Sequence, residues 1–394
     1  MNSSSNGSNV VVKDARLNEN LVYVVEEAIK EAGFNSALKP GEKVLINPNL
    51  VAVPPERKSG ATTLVEVTEA VALHVHSKGA RPIIADSAAV GINTEDVIQI
   101  TGYDSLRNKG FEVRDLKKDH IVKMGEFEIY KTAYEADTII SLPVMKTHDQ
   151  FEVSLGTKNL KGLLPDNLRK AFHRRYNLAK ALASFLQTLA SRKKILAVMD
   201  GLVALEGRGP VFGNPIDVGL ILASKDMVAL DSIAAMIMGV REKELFLEQE
   251  SAYRGLGTLK REKIEISGDY TFDLLPRINF DRGKNLKIEA DNFEIFFSEK
   301  TCTGCKNTLI SCLQVIKEAK VEYILEGKKI FAGETSQHIE KNIEKIINPG
   351  DDVIMIGSCL FGKENKNRIK KANITLVPGC PPEINDVLKN LQFF

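Results

Sequence analysis

The 394-residue sequence has almost no net charge: 53 Lys and Arg stand against 52 Asp and Glu, a formal +1. With no field of one sign, neither nucleic acid nor an anionic membrane surface is an expected partner. The sequence also lacks any apolar run of about twenty residues, so no segment reads as a membrane span. Residues 1–9 are rich in Ser and Asn and lack the basic-then-apolar order of a signal peptide, which makes them an expected disordered tail. Nucleotide-loop signatures are missing too. The glycine-rich loop from Glu206 to Gly213 fits neither G-x-x-x-x-G-K-[ST] nor a G-x-G-x-x-G that opens a helix. There are only five cysteines, and four of them sit in loops punctuated by Gly and Pro. That pattern suits a reducing cytoplasm better than a disulfide framework. The hydrophobic share of 43% and charged share of 27% are ordinary, and the length allows two or three domains with substantial cores.

What is present is an alternation of strands and helices. Val10–Lys13, Lys43–Leu50 and Arg81–Ser87 read as strands. Between them, Leu21–Ala32 and Leu64–Lys78 read as helices that stop at Gly33 and Gly79, the second capped by Thr62 or Thr63. Such spacing predicts a mostly parallel α/β sheet, whose ligands bind beyond the carboxyl ends of the strands. Asn47, Asn49, Asp86 and Ser87 are site candidates by that position, although helix capping and turn formation explain the same residues. Thr94–Lys109 is expected as one helix and Phe127–Lys131 as part of a hairpin. Thr138–His148 is expected as one strand ending in Lys146, Thr147 and His148. Gly156–Gly162 follows closely and adds Lys158, Asn159 and Lys161. Cations, donors and one imidazole in such a set suit phosphate or carboxylate recognition, with a solvated basic loop as the alternative. Lys146, His148 and Lys158 are the catalytic candidates; Asp86, Ser87, Asn159, Lys161, Glu206 and Arg208 are the cofactor-binding ones. Asp226 is expected to cap the helix to Met238, with Asp231 facing inward or lining a site.

In order, these motifs resemble the DUF362 family: Asp86-Ser87, the Leu142–His148 run, Leu155–Gly162, Met199–Gly201, Glu206–Pro210 and the Asp226/Asp231 pair. The resemblance covers residues 10–240 and implies no mechanism, because the family is named for an unknown function. Residues 241–294 read as a connector with short strands.

The last hundred residues carry Cys302 and Cys305 in C-T-G-C, Cys359 in G-S-C, and Cys380 in G-C-P-P. A C-x-x-C loop lets two thiolates converge on one metal centre, and glycine beside a cysteine lets backbone N–H groups approach sulfur. A thioredoxin-like redox pair, a zinc half-site or buried structural thiols are the alternatives. The three motifs together resemble the proximal [4Fe–4S] site of nickel–iron hydrogenase small subunits. That resemblance implies Cys302, Cys305, Cys359 and Cys380 as ligands. Strands alternating with helices, among them helices expected near Ser336–Ile347 and Lys363–Lys371, read as a small flavodoxin-like α/β domain spanning 295–394 that would bring the cysteine loops to one rim. Cys312, seven residues after Cys305, reads as core.

The functional expectation is an iron–sulfur protein, either a redox enzyme (an iron–sulfur oxidoreductase) or an electron-transfer protein. Its [4Fe–4S] cluster would serve a small anionic substrate or cofactor in the first domain and meet a redox partner protein. A non-redox ligand-binding protein or a maturation factor with a structural metal is the alternative, and a homo-oligomer is compatible with either.

Overall fold

The computed structural model describes residues 7–148, 151–174, 178–207, 209–211, 213–282, 288–297, 303–333, 346–357, 372–379, 382 and 384–393. The chain divides into two compact units, residues 1–284 and 285–394.

The first unit begins with β1 (Ser8–Asp14), α1 (Leu21–Glu31), β2 (Lys43–Pro48), α2 (Val65–Ser77), β3 (Arg81–Asp86), α3 (Thr94–Ile100), α4 (Asp104–Asn108) and β4 (Glu112–Asp115). A hairpin of β5 (Ile121–Met124) and β6 (Phe127–Tyr130) follows, then α5 (Lys131–Glu135), β7 (Thr138–Leu142), β8 (Val144–His148), β9 (Glu152–Ser154) and α6 (Gly156–Asn159). The unit ends with α7 (Asp166–Arg174), α8 (Leu178–Ala190), β10 (Lys194–Glu206), β11 (Asn214–Ser224), α9 (Met227–Ile237), α10 (Phe246–Tyr253) and β12 (Ile264–Gly268). One sheet runs β12-β1-β11-β10-β7-β2-β3-β4, with β8 against the later half of β10 and β9 against β8. The stretch from β10 to β4 is parallel, while β11 is antiparallel to both neighbours. The fold is α/β with a large, mostly parallel sheet.

Its central strands are buried on both faces, which is why they read as continuous apolar runs. Side chains alternate across the sheet: Val44 and Ile46 join the core containing Val71 and Ile140, and Leu45 joins the core containing Ile139 and Phe185.

Several expectations change in detail. Thr94–Lys109 is two helices, because Gly102 enters the left-handed region at φ 84° between them. Thr138–His148 is two strands, interrupted at Pro143, whose ring leaves no N–H for a ladder. The glycine-rich loop joins the antiparallel pair β10 and β11, and Glu206 faces Asn214 across its base. Residues 241–284 are no connector. They supply α10, which packs on α8 and α9, and β12, an edge strand parallel to β1. The sequence hides β12 because an edge strand has one open flank and only partial burial.

The helix α2 is not capped by Thr62 or Thr63. Thr63 Oγ1 donates to Leu142 O at 2.6 Å, and the cap position, Leu64, offers no side-chain acceptor. Asp200 of β10 takes the role instead: its Oδ2 accepts from Leu64 N at 2.8 Å, and its Oδ1 accepts from Leu202 N at 3.1 Å.

The second unit contains β13 (Glu294–Phe297), α11 (Thr303–Glu318), β14 (Lys328–Ala332), β15 (Asp352–Ile356), β16 (Asn373–Val377) and α12 (Ile384–Asn390). Its four described strands are parallel and lie in sequential order. A flavodoxin-like sheet reverses its order beside the first strand. No such reversal occurs among the described strands, which corrects that expectation. Leu309, Leu313, Ile330 and Ile354 form a core on one face; Phe331, Val353 and Met355 form another on the opposite face. The helices expected near 336–347 and 363–371 lie almost wholly outside the described residues.

Burial pushes the Asp200 carboxyl up from 3.8 to about 7. The folded chain therefore binds this proton more tightly than the unfolded chain, so its contribution to stability is full below pH ~4 and is lost as pH rises through ~7. Asp200→Ala is expected to cost about 1–3 kcal/mol by leaving a buried helix-end donor unpaired. Asp200→Asn should flatten the decline in stability between pH 4 and pH 7, read from urea midpoints at each pH.

Candidate functional site

The candidate site is built where β2, β3, β7 and β8 end. Asn47 is the last but one residue of β2, and Asp86 is the last of β3; both are buried. Asn47 Nδ2 donates to Asp86 Oδ1 at 3.0 Å and to Ala85 O at 2.9 Å, while Leu50 N donates to Asp86 Oδ2 at 2.8 Å. Asn159 Nδ2, from α6, donates to Asn47 O at 2.9 Å and to Ser141 Oγ of β7 at 3.1 Å. Its Oδ1 accepts from Asn49 Nδ2 at 2.8 Å. Asn49 thereby turns its own Oδ1 toward Lys146, whose Nζ lies 2.7 Å away. The second acceptor of Lys146 is Ala61 O, also at 2.7 Å.

Lys146 is 1% exposed, and both of these acceptors are neutral. Burial, reinforced by the nearby Lys158, holds its pKa well below the ordinary lysine value, and Asp86 offsets this in part. Lys158 reaches Ser154 Oγ at 3.4 Å, and Ser154 is the cross-strand partner of Lys146. Lys161 keeps part of its side chain at the surface. Desolvation around its ammonium, with Lys158 and Arg169 nearby, still pushes its pKa well down. Arg169 of α7 is buried and donates to Ser87 O at 3.2 Å and Ala88 O at 2.9 Å, besides pairing with Asp166. Its Nε has no partner among the described residues. Asp86, pushed up to about 6 by burial against these bonds and the field of Arg169, is the carboxylate at the centre. Three lysines and an arginine thus gather near Asp86, a set of donors that suits an anion.

The turn that carries Lys158 and Asn159 is pinned by a buried acid pair. Asp231 accepts from Gly156 N at 2.7 Å, from Thr157 N at 2.8 Å and from Thr157 Oγ1 at 2.8 Å. Thr157 Oγ1 also lies 3.1 Å from Glu248 Oε1. Burial raises both carboxyls, and the charge of Glu248 raises Asp231 further. Asp226 caps α9 through Ala229 N at 2.9 Å, as its position in the sequence predicts.

Other candidates lie apart from this network or outside the described residues. His148 is buried; its Nδ1 accepts from Phe151 N at 3.4 Å, and its ring packs 5.8 Å from that of Phe151. Glu206 accepts from Asp281 N at 2.9 Å, which makes it a loop anchor in this structure. The adjoining loop packs on β8, where Thr147 Oγ1 donates to Gly207 O at 3.0 Å. Arg208 lies outside the described residues. So do Cys302, Cys359 and Cys380, while Cys305 is buried at the start of α11. Among the described residues no group of three or more His, Cys, Asp or Glu is arranged to hold a metal. Cys312 is buried, its thiol pushed up to about 12, and its Sγ lies 3.6 Å from Ile384 O. The sequence carries no local signal for Glu248, whose partner Thr157 is 91 residues distant, or for the bonds of Arg169 to Ser87 O and Ala88 O, 82 and 81 residues away.

Residues 44–236 match a family model described as "Domain of unknown function (DUF362)". A relative named "thylakoid-associated protein", from Synechocystis sp. (strain ATCC 27184 / PCC 6803 / Kazusa), is 32% identical over 216 residues. That alignment covers 52% of this chain and 66% of the relative, so the chain spans less than two thirds of that protein's length. The solved structure of the lactate racemase apoprotein from Thermoanaerobacterium thermosaccharolyticum aligns over 100% of this chain and 92% of its own at 13% identity. Its TM-score is 0.39, too low to carry an argument. Among the described residues, no helix is long and apolar enough to cross a membrane.

Gly162 closes over the network: a Cβ there would lie 2.2 Å from Asp86 Oδ1, an oxygen already held by Asn47. Gly162→Ala is expected to lower stability by about 1–3 kcal/mol through overpacking. Thermal melts should show the loss shrinking in an Asp86→Ala background, where the clash is removed.

Proposed function

We propose that this chain, whose residues 44–236 carry the DUF362 match, is an iron–sulfur protein of that family that binds a small anionic substrate or cofactor. The anion belongs at the ends of β2, β3 and β8, among Lys146, Lys158, Lys161 and Arg169. The observation that carries this is the buried ammonium of Lys146. An ion held by two neutral oxygens has lost its hydration without gaining a counter-charge, and an anion arriving beside it supplies one.

The redox part of the proposal rests on the cysteine motifs and on the backbone around them. Strands β15 and β16 end in register, Ile356 opposite Val377, and Gly357 N donates to Val377 O at 2.9 Å. The segments leading to Cys359 and Cys380 therefore leave adjacent strand ends. Gly357 and Gly379 take φ of 107° and 143°, where a side chain is disfavoured, and a Cβ on Gly379 would lie 2.2 Å from Pro382 Cα. Thr308 of α11, one turn after Cys305, donates to Pro382 O at 3.3 Å, which ties that helix to the chain just past Cys380. These neighbourhoods fit Cys302, Cys305, Cys359 and Cys380 as ligands of one [4Fe–4S] cluster, which would supply one-electron transfer. We assign the protein to a reducing cytoplasm on the same cysteine pattern, with electrons exchanged with a redox partner protein.

Anaerobically prepared protein is expected to carry about four iron and four acid-labile sulfide per chain and to give an EPR signal on dithionite reduction. Cys359→Ser should lose them, and Cys312→Ser should keep them. Zinc in place of iron would sink the redox reading. For the anion, calorimetry with orthophosphate and pyrophosphate should show binding that Lys146→Met weakens about 10–100-fold, the worth of a charge-assisted bond. Since the free lysine has a lowered pKa and the anion favours its charged form, binding should take up protons and weaken as pH rises. Equal affinity of Lys146→Met and wild type would remove the anion site.

A further inference from the structure

Elsewhere in the first unit, a cavity of about 480 Å³ lies beside the end of α9 and the strand β12. That volume is typical of small-molecule sites. Ten of its thirteen lining residues follow residue 236, where the DUF362 match stops. It is therefore largely a feature of this chain beyond the matched region.

The floor is aliphatic, formed by Ile233, Met236, Leu245, Leu259 and Ile264. Arg241, Arg261 and Arg277 stand on the lining. Arg241 is committed to Glu244 at 2.9 Å. The other two are exposed and meet no carboxylate among the described residues. Arg261 Nη1 donates to Ile264 O at 3.3 Å, and Arg277 Nη1 donates to Met236 O at 3.4 Å. Both guanidiniums lie over one ring, that of Phe272, at 3.2 Å and 5.5 Å from its centroid. Glu242, the one acid on the lining, pairs with neither. Stacking on an aromatic face holds a guanidinium plane while leaving most of its N–H fork available, the geometry that grips a carboxylate or phosphate. Two like charges gathered at one ring also favour a shared counter-ion.

We propose that this cavity binds an amphipathic anion, with its carboxylate or phosphate head on Arg261 and Arg277 and its apolar chain on the aliphatic floor. This site involves neither Lys146 nor the cysteines, so it stands or falls apart from the function proposed above.

The full chain, titrated calorimetrically with octanoate and with octyl phosphate, should bind at least one of them saturably, and the preferred head names the ligand class. Octan-1-ol should bind at least about tenfold more weakly, because it lacks the charge-assisted bonds. The double variant Arg261→Ala, Arg277→Ala should lose about tenfold or more, and Arg261→Lys should lose less, keeping charge but not the fork. Met236→Trp, which fills the floor and leaves both arginines in place, should weaken binding as well. No saturable binding of either anion, octanol binding as tightly, or the double variant binding unchanged would overturn the proposal. If the double variant fails to fold, the octanol and Met236→Trp arms decide it.

Discussion

The buried ammonium of Lys146 is the constraint to which the rest of the first site answers. An ion in that position demands oxygens, and among the described residues its hydrogen-bond acceptors are the neutral Asn49 Oδ1 and Ala61 O. The requirement propagates through the amides. Asn49 must show its oxygen to Lys146, so its nitrogen turns to Asn159; the nitrogen of Asn159 is then free for Asn47 O and Ser141. Asn47 in turn donates to Asp86. Each amide has one orientation that satisfies both neighbours, and reversing any one of them would oppose two donors or two acceptors. The strand ends are thereby fixed relative to one another by polar bonds as well as by the apolar layers beneath them.

The same rim gathers four cationic side chains, Lys146, Lys158, Lys161 and Arg169, around Asp86. Asp86 is held neutral part of the time by its burial. Asp231 and Glu248 both contact the turn that carries Lys158; burial raises both carboxyls, and the charge of Glu248 raises Asp231 further. Asp231 is occupied by the N–H groups of Gly156 and Thr157, so it positions the turn rather than neutralising the lysines. Removing Asp231 would release the turn, and both the acid pair and the cation cluster depend on it.

Much of this was legible in the chain because it obeys local rules. The parallel sheet follows from strands and helices that alternate at short spacing, and Asn47, Asp86 and Lys146 follow from being polar residues at the ends of apolar runs. What the sequence hides are partners brought together over distance. Asp200 caps a helix that starts 136 residues earlier in the chain, and the two adjacent threonines are better local caps on paper. Thr63 is diverted because its hydroxyl bridges Leu142 O and Asn49 N, a bond only the folded sheet creates. Arg169 and Glu248 have no motif around them, and β12 is recognisable only once β1 offers it an edge.

Cysteines 305 and 312 show how far position within one helix separates residues that burial treats alike. Both lie on α11, both are buried, and seven residues at about 100° per residue return nearly to the same face. Both join the same apolar core. Along the axis, however, they differ by about 10 Å. Cys305 stands in the first turn, where backbone N–H groups have no partner inside the helix and the dipole favours negative charge. Cys312 stands two turns on, where the N–H ladder is complete, and its thiol is held protonated by burial beside the Ile384 carbonyl. A cluster ligand is an anionic sulfur that gains from N–H donors, whereas a core thiol gains from being neutral. The two ends of one helical face differ in this way, and that difference, more than the spacing of the cysteines, is the physical ground for proposing Cys305 as a ligand and leaving Cys312 in the core.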